Sequence, residues 1–551
     1  RFIASVGHPD ADPRAAASVH EARPHDGAPG VVGLLGRRAA TGLGIAEPVE
    51  VTIVYGVAGF RLADALANAP DAMWLEPQIR WHRAHGGQGA EAARELLAMG
   101  EDLRQRGQLG ASSDVLREAE ERCPPSARLL LAEISYARGL ARAALSRWRD
   151  ARASLTRAIA NAPAPQPEQQ ALRWAASVRL AEVMAADDDP LGASDMVERL
   201  IDRIRPDQHP ELAARALVLA AELHRRAAHP LAARRMLDRA LVAAERSGEG
   251  AVVAAVEGAR AHLLVEAGRV VEGRRLLEAQ ADHLRFTGRT HQLVPVLYRL
   301  AVALRREGRI DRALEVLDEA DDVCRYAQRP HDRALSAVGR AGVLLAVRDV
   351  DGAERVLDRA REAVDADAPS SLRLAFRDVQ LGARLLRGDT AAALSVAQVA
   401  EAEAARAGHA VDAAFHLGIV GVLTADTEAI GDALDLLDTA GDRRLAARLL
   451  LAGAHQSRDM DVLSNAESEA RASGDRFLML EVLHAVGSSA HRQEAEALCT
   501  HLLPNIPLHH RPRFLDSGPV RWAAPRFGAG SSALAGTLGP AVVRTWRDRM
   551  Q

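Results

Sequence analysis

The 551-residue chain contains no lysine, and all 70 of its basic side chains are arginine. A phosphate loop of the Walker type needs a lysine at the phosphates. A protein-kinase site needs one on its third strand, and a pyridoxal-phosphate site needs one for its Schiff base. None of these can be present in standard form, so neither ATP hydrolysis nor kinase activity is expected of this chain. Only three cysteines occur, Cys123, Cys324 and Cys499, far apart and without a CxxC pair. Neither a disulfide framework nor a zinc knuckle is indicated, and a reducing, cytoplasmic setting is the expectation. Aromatic residues make up 3% of the chain, against the aromatic and β-branched enrichment of sheets. No apolar run reaches the roughly 18 residues of a membrane-spanning helix. A net charge of −4 gives no footprint for nucleic acid or a membrane surface.

What is abundant is alanine, leucine and valine, within a hydrophobic content of 48%. Such a chain is too long for one compact core unless it repeats. It does repeat. "GRIDRALEVLDEA" at 308–320 is echoed by "RDVDGAERVLDRA" at 348–360 and "GRVVEGRRLLEAQ" at 268–280. A period of about 40 aligns Ala193, Ala233, Gly273, Ala313, Ala353, Ala393 and Ala433 in a column of small residues. Four residues on stand Val197, Leu237, Leu277, Leu317, Leu357, Ala397 and Leu437, and three further on a second, mostly small column that includes Ala320 and Ala360. Small, large, small at i, i+4, i+7 is one stripe of a helix, and its small members let a neighbouring helix approach closely. Each stripe follows a break such as Gly268, Gly308 or His229-Pro230, and before each break lies another amphipathic segment, as in 291–308. Each period therefore predicts helix, tight turn, helix. Stacked pairs bury continuously what one pair cannot.

The columns of small residues resemble the tetratricopeptide repeat, although the period exceeds the standard one and the usual Trp, Tyr and Pro landmarks are mostly absent. The longer period is similar to the divergent tetratricopeptide-like domain of MalT-type bacterial regulators. Residues 79–121 resemble the junction after the NTPase and winged-helix modules of large bacterial signalling ATPases, and 503–523 resemble the closing segment of kinase–ATPase–repeat proteins. The expected fold is an all-α, right-handed superhelical solenoid of about ten antiparallel helix pairs over 81–505. It is flanked by an irregular N-terminal segment, 1–80, and by a Pro/Gly-containing tail, 506–551. The resemblance implies the sensor or interaction region of a bacterial signal-transduction protein. A protein or peptide would lie in the concave groove, linked to an ATPase, kinase or DNA-binding module ahead of Arg1. A stand-alone adaptor, or an enzyme with a site in a terminal segment, remains the alternative.

Local motifs add little chemistry. His82 and His85 stand at i, i+3, a spacing that can hold a metal on a helix, but no third ligand is implied, so neither metal nor cofactor is expected. His509-His510 is read the same way. "GLLGRRAATGLG" at 33–44 matches neither a dinucleotide fingerprint nor a Walker loop, and 49–60 reads as a lone strand. Cys324 falls on the apolar stripe, where it reads as a small core residue. One column is irregular: at the position of Leu300 it reads Ala220, Arg260, Leu300, Arg340 and Gln380. Arg260 and Arg340 are therefore the candidate groove-binding residues for an anionic partner. Their other reading is packing of the aliphatic stems, with heads turned toward Glu257 or Glu266.

Overall fold

The computed structural model describes residues 89–524 apart from 163–166, 327, 328, 366 and 458. The expected N-terminal segment 1–80, the 33–44 and 49–60 stretches within it, and the His82–His85 pair lie outside the described residues. Among those described, every regular element is a helix. They are α1 (Ala90–Gln105), α2 (Leu109–Arg122), α3 (Arg128–Ala144), α4 (Trp148–Asn161), α5 (Pro167–Ala186), α6 (Pro190–Ile201), α7 (Pro210–Arg226) and α8 (Pro230–Ser247). There follow α9 (Gly250–Glu266), α10 (Val270–Phe286), α11 (Thr290–Arg306), α12 (Ile310–Tyr326), α13 (Pro330–Ala346), α14 (Val350–Ala360), α15 (Ser370–Arg387) and α16 (Thr390–Arg406). The last are α17 (Ala410–Thr424), α18 (Thr427–Ala440), α19 (Arg443–Ser457), α20 (Met460–Ser473), α21 (Arg476–Val486), α22 (Ser489–Leu502), α23 (Arg511–Leu515) and α24 (Gly518–Ala523).

The described residues form two compact units, one of 89–142 with 153–176, the other of 143–152 with 177–524. In the first, Ala93, Leu96, Ala119, Leu130 and Ile134 share a core. Glu120 joins it from the side, accepting from Arg138 and, at 2.5 Å, from Arg157.

In the second unit helices pair as the period predicts. The first helices α7 to α17 begin at Pro210, Gly250, Thr290, Pro330, Ser370 and Ala410, every 40 residues. From there the repeat shortens, and α19 and α21 begin at Arg443 and Arg476, 33 residues apart. The turn inside a pair is a Schellman closure. Gly268 takes φ +82°, and Arg269 N–H donates to Leu264 C=O at 2.8 Å. At Arg348 a non-glycine residue holds the same left-handed conformation, and the next residue, Asp349, caps α14 by accepting from Gly352 N–H at 2.8 Å. The small-large-small stripe is core: Ala313, Leu317 and Ala320 are fully buried, as are Ala233, Ala240 and Ala393. At Gly273, a Cβ would stand 2.5 Å from Val265 Cγ2 and 2.7 Å from Ala261 C=O, so that column marks a close helix approach.

Within this unit, turns far apart in sequence also meet. Trp148 donates to Asp367 C=O at 2.6 Å across 219 residues, and Arg373 to Asp188 at 2.6 Å across 185. A Cβ on Gly268 would fall 1.9 Å from Ala472 C=O. Residues 506–524, placed by the sequence in the C-terminal tail, form α23 and α24. Their Phe514, Leu515 and Val520 are buried in the same core as Phe477 and Leu483.

Candidate functional site

The first helix of each pair carries a second column, two residues beyond the irregular one. It reads Glu222, His262, Val302, Gly342, Gly382 and Val422 at the same interval of 40. It decides what the inner wall of the second unit contains. At its start the large members fill the wall with charge. Glu222 Oε1 accepts from Arg225 Nη2 and from Arg226 Nε, both at 2.9 Å. Arg225 Nη1 also donates to Glu266 Oε1 at 2.7 Å, and His262 Nε2 stands 3.4 Å from that same oxygen. Arg306, 6% exposed, donates to Val265 C=O at 2.7 Å.

One guanidinium thus serves two carboxylates, and they titrate apart. Burial works to raise Glu222, but Arg225 outweighs it and holds that carboxyl well below the usual range. Burial prevails at Glu266, which Arg225 only partly offsets and which Asp442 and Glu222 push further, to about 7. Burial, reinforced by Arg225 and Arg299, holds His262 well below an ordinary imidazole, so it is neutral at pH 7. Burial and the neighbouring Arg444 lower Arg306 to about 10.

Farther along, the column becomes small and the wall becomes hollow. A Cβ at Gly342 would meet only Val379, at 3.8 Å, and one at Gly382 only Leu345, at 3.3 Å. The space they leave is a cavity of about 480 Å³, floored by Val302, Gly342, Gly382 and Val422. Apolar side chains dominate its lining, and a few polar groups converge on it. Arg448 donates to Asp378 at 2.8 Å and stacks 4.6 Å above the Phe415 ring. Burial opposes ionisation of Asp378, yet Arg448 and Arg444 keep its carboxyl well below the usual range. Asp475, 3% exposed, caps α21 through Oδ1, accepting from Phe477 and Leu478 N–H at 3.1 and 3.2 Å. Its Oδ2 is shared by Arg444 at 3.3 Å and Arg305 at 3.8 Å. A second cleft of about 600 Å³ adjoins the cavity through Arg348, Leu386, His455 and Glu481. At that junction Arg348 donates to Glu481 at 2.7 Å.

The chain folds, over its described residues, as a helical repeat of stacked helix pairs. It is similar to the solved Rap protein complexed with competence and sporulation factor, at 15% identity over 80% of this chain and 98% of that one, with a TM-score of 0.36. Against the Cut9–Hcn1 hetero-tetramer of the APC/C the identity is 11% over 90% and 92%, TM-score 0.39. Against yeast Tom70 it is 12% over 86% and 99%, TM-score 0.30. No family model and no curated protein matches the chain.

Arg260 and Arg340 stand elsewhere on this helical-repeat frame. Arg260 of α9 pairs with Glu257 at 2.8 Å on its own helix. Arg340 of α13 bridges Asp318 and Asp321 of α12 at 2.7 and 2.8 Å. Neither lines the cavity. The residues that do, Arg305, Arg444 and Asp475 above all, escape a reading of single positions. The column from Glu222 to Val422, laid out at the period that reveals the stripe, is the signal that finds the cavity floor. Cys324 and Cys499 are buried, and burial pushes both thiols up to about 12. Among the described residues no three His, Cys, Asp or Glu side chains gather to hold a metal, and no helix is long and apolar enough to cross a membrane.

Proposed function

We propose that this chain is a peptide- or protein-binding helical-repeat scaffold whose ligand enters the hollow part of the inner wall. The observation that carries this reading is the cavity of about 480 Å³, a size usual for ligand sites, in which an apolar lining meets a few ordered charges. The wall supplies binding groups and no activated nucleophile, which favours recognition over catalysis. We read the chain as the sensor or interaction region of a cytoplasmic bacterial signalling protein. A ligand would bias the stacking of the pairs and so a linked ATPase, kinase or DNA-binding module.

Panning a displayed peptide library on the native chain and on Gly342→Leu tests the reading, because leucine at that position fills the cavity. Peptides enriched on the native chain and absent from the variant support it. Equal enrichment on both removes the cavity from the function.

Arg260 and Arg340 form a separate proposal. Each already holds carboxylates, so a partner's acid would have to displace Glu257 or the Asp318–Asp321 pair. Changing both to Gln should weaken such a partner without lowering stability. A lowered melt with unchanged binding assigns them to the stack.

A further inference from the structure

We infer that the half of the α9–α10 pair away from its Gly268 turn is a binding site for a primary ammonium group carried on a short apolar stem. This site shares no residue with the cavity of the inner wall and stands whether or not that cavity binds a peptide.

One repeat departs from its neighbours at two facing positions. On the first helix, the column that reads Leu217 and Leu297 has Glu257 between them. On the second, the column that reads Ala240 and Ala320 has Gln280. All four of those neighbours are buried in the core, so a carboxylate and an amide stand where a leucine and an alanine would close the pair. Gly258 admits the amide: a Cβ there would fall 1.9 Å from Gln280 Oε1. Its counterparts one repeat away are Val218 and Tyr298. The pair is left with a pocket of about 410 Å³, whose lining joins Val253, Ala254, Leu276 and Ala279 to Glu257 and Gln280.

The polar atoms of this pocket are unmatched. Arg260 takes Glu257 Oε1 at 2.8 Å, while Oε2 is shut from solvent and accepts no bond from any described residue. Gln280 Oε1 is in the same state. His283 Nε2 is a third buried atom with no described partner, and its ring stands beside Gly250, which also lines the pocket. Buried acceptors left unmet are costly, a charged one most of all. What they lack is donors. An ammonium brings three N–H groups and the charge opposite to that of Glu257. Arg260 carries the same sign, but at 37% exposure its charge is screened by water and salt. The acceptors come from two helices, which suits a compact charge with rotatable donors better than the flat fork of a guanidinium. Val253, Ala254, Leu276 and Ala279 call for a few methylenes next to that head. None of the 551 residues is a lysine, so no side chain among them can fill the site with an ammonium. A free amine or a partner's lysine would supply it.

Saturation-transfer NMR titrations on the full chain test this, with n-hexylamine set against its neutral counterpart hexan-1-ol. Hexylamine should bind about tenfold more tightly than the alcohol. Glu257→Leu/Gln280→Ala restores the residues of the neighbouring repeats, so it should fold at least as well as the native chain and should lose hexylamine. Glu257→Gln should keep the shape of the pocket and bring the amine down to the level of the alcohol. Nα-acetyllysine methylamide separates the two sources. If it binds as hexylamine does, the ammonium belongs to a partner's lysine; if it fails where hexylamine succeeds, the ligand is a free amine, and either result supports the site. Equal binding of amine and alcohol overturns the ammonium assignment. No transfer to either compound, or unchanged hexylamine binding in Glu257→Leu/Gln280→Ala, overturns the site. Should that variant fail to fold, the amine–alcohol comparison on the native chain and on Glu257→Gln decides.

Discussion

The two stretches of the inner wall are built on one frame and differ in a single column. Where it reads Glu222 and His262, the wall is solid with paired charge; where it reads Gly342 and Gly382, it is hollow. Helix pairing, turn chemistry and the stripe between helices are the same in both. The difference shows that in a stacked array the stripe makes the structure and the opposite column sets what the structure can hold. A side chain can be exchanged in that column without disturbing the contact between helices.

The strongest way to break this comparison is to remove a charge from the solid stretch. Arg225→Ala leaves Glu266 without its guanidinium and Glu222 with Arg226 alone in a half-buried site, and loss of one partner from such a network costs about 3–5 kcal/mol. A urea titration should show that drop, and an unchanged midpoint would mean that the solid stretch is a solvated surface. Next comes Ala313→Leu in the stripe, where overpacking should cost about 1–3 kcal/mol. A cost no larger than that of the exposed Arg325→Ala would place Ala313 outside the helix contact.

Glu266 gives a smaller and pH-dependent effect. Its carboxyl titrates near 7 in the folded chain, against 4.5 for an ordinary glutamate. Between those values the folded state holds a proton that the unfolded state has lost. Stability therefore falls as pH rises through this window and levels off above it. His262, lowered on folding, works in the opposite direction below its ordinary 6.5. The difference between the native chain and Glu266→Gln isolates the carboxyl. Relative to the variant, the native chain should lose about 1–3 kcal/mol between pH 5 and pH 8. Parallel pH profiles would show that Glu266 is ionised throughout.

Gly342→Leu should have the smallest effect and the opposite sign. It relieves a glycine inside α13 and fills empty space, so the melt should rise, by an amount corresponding to about 1 kcal/mol or less. A lower melt would mean that the hollow stretch has no room.

Much of the frame was legible in the sequence. Ala313, Leu317 and Ala320 announce the stripe, and all three are buried. Gly268 and Gly308 announce turns, and both have positive φ. The shortening of the repeat after Ala410 was not legible, because Ala433 and Leu437 stay in phase with the 40-residue column although their helix begins early, at Thr427. The site was harder still. Arginine is so frequent that its position on a helix face does not separate Arg305, beside the cavity, from Arg340, which bridges two aspartates of α12. Arg444 and Asp475 come from repeats after the change of period, so only the folded stack brings them to Arg305.

Repeat arrays ordinarily gain and lose units freely, because each unit knows only its neighbours. The meeting of turns such as Gly268 with Ala472 removes that freedom here. Inserting or deleting one pair between them would carry Ala472 past Gly268, and, according to its place, Trp148, Asp188 or Arg348 would face the wrong residue. The second unit can therefore count: its length is fixed by a fit between turns, as the number of staves is fixed in a barrel. Variation in such a chain must come through side chains in the wall column and through the termini, and not through the number of repeats.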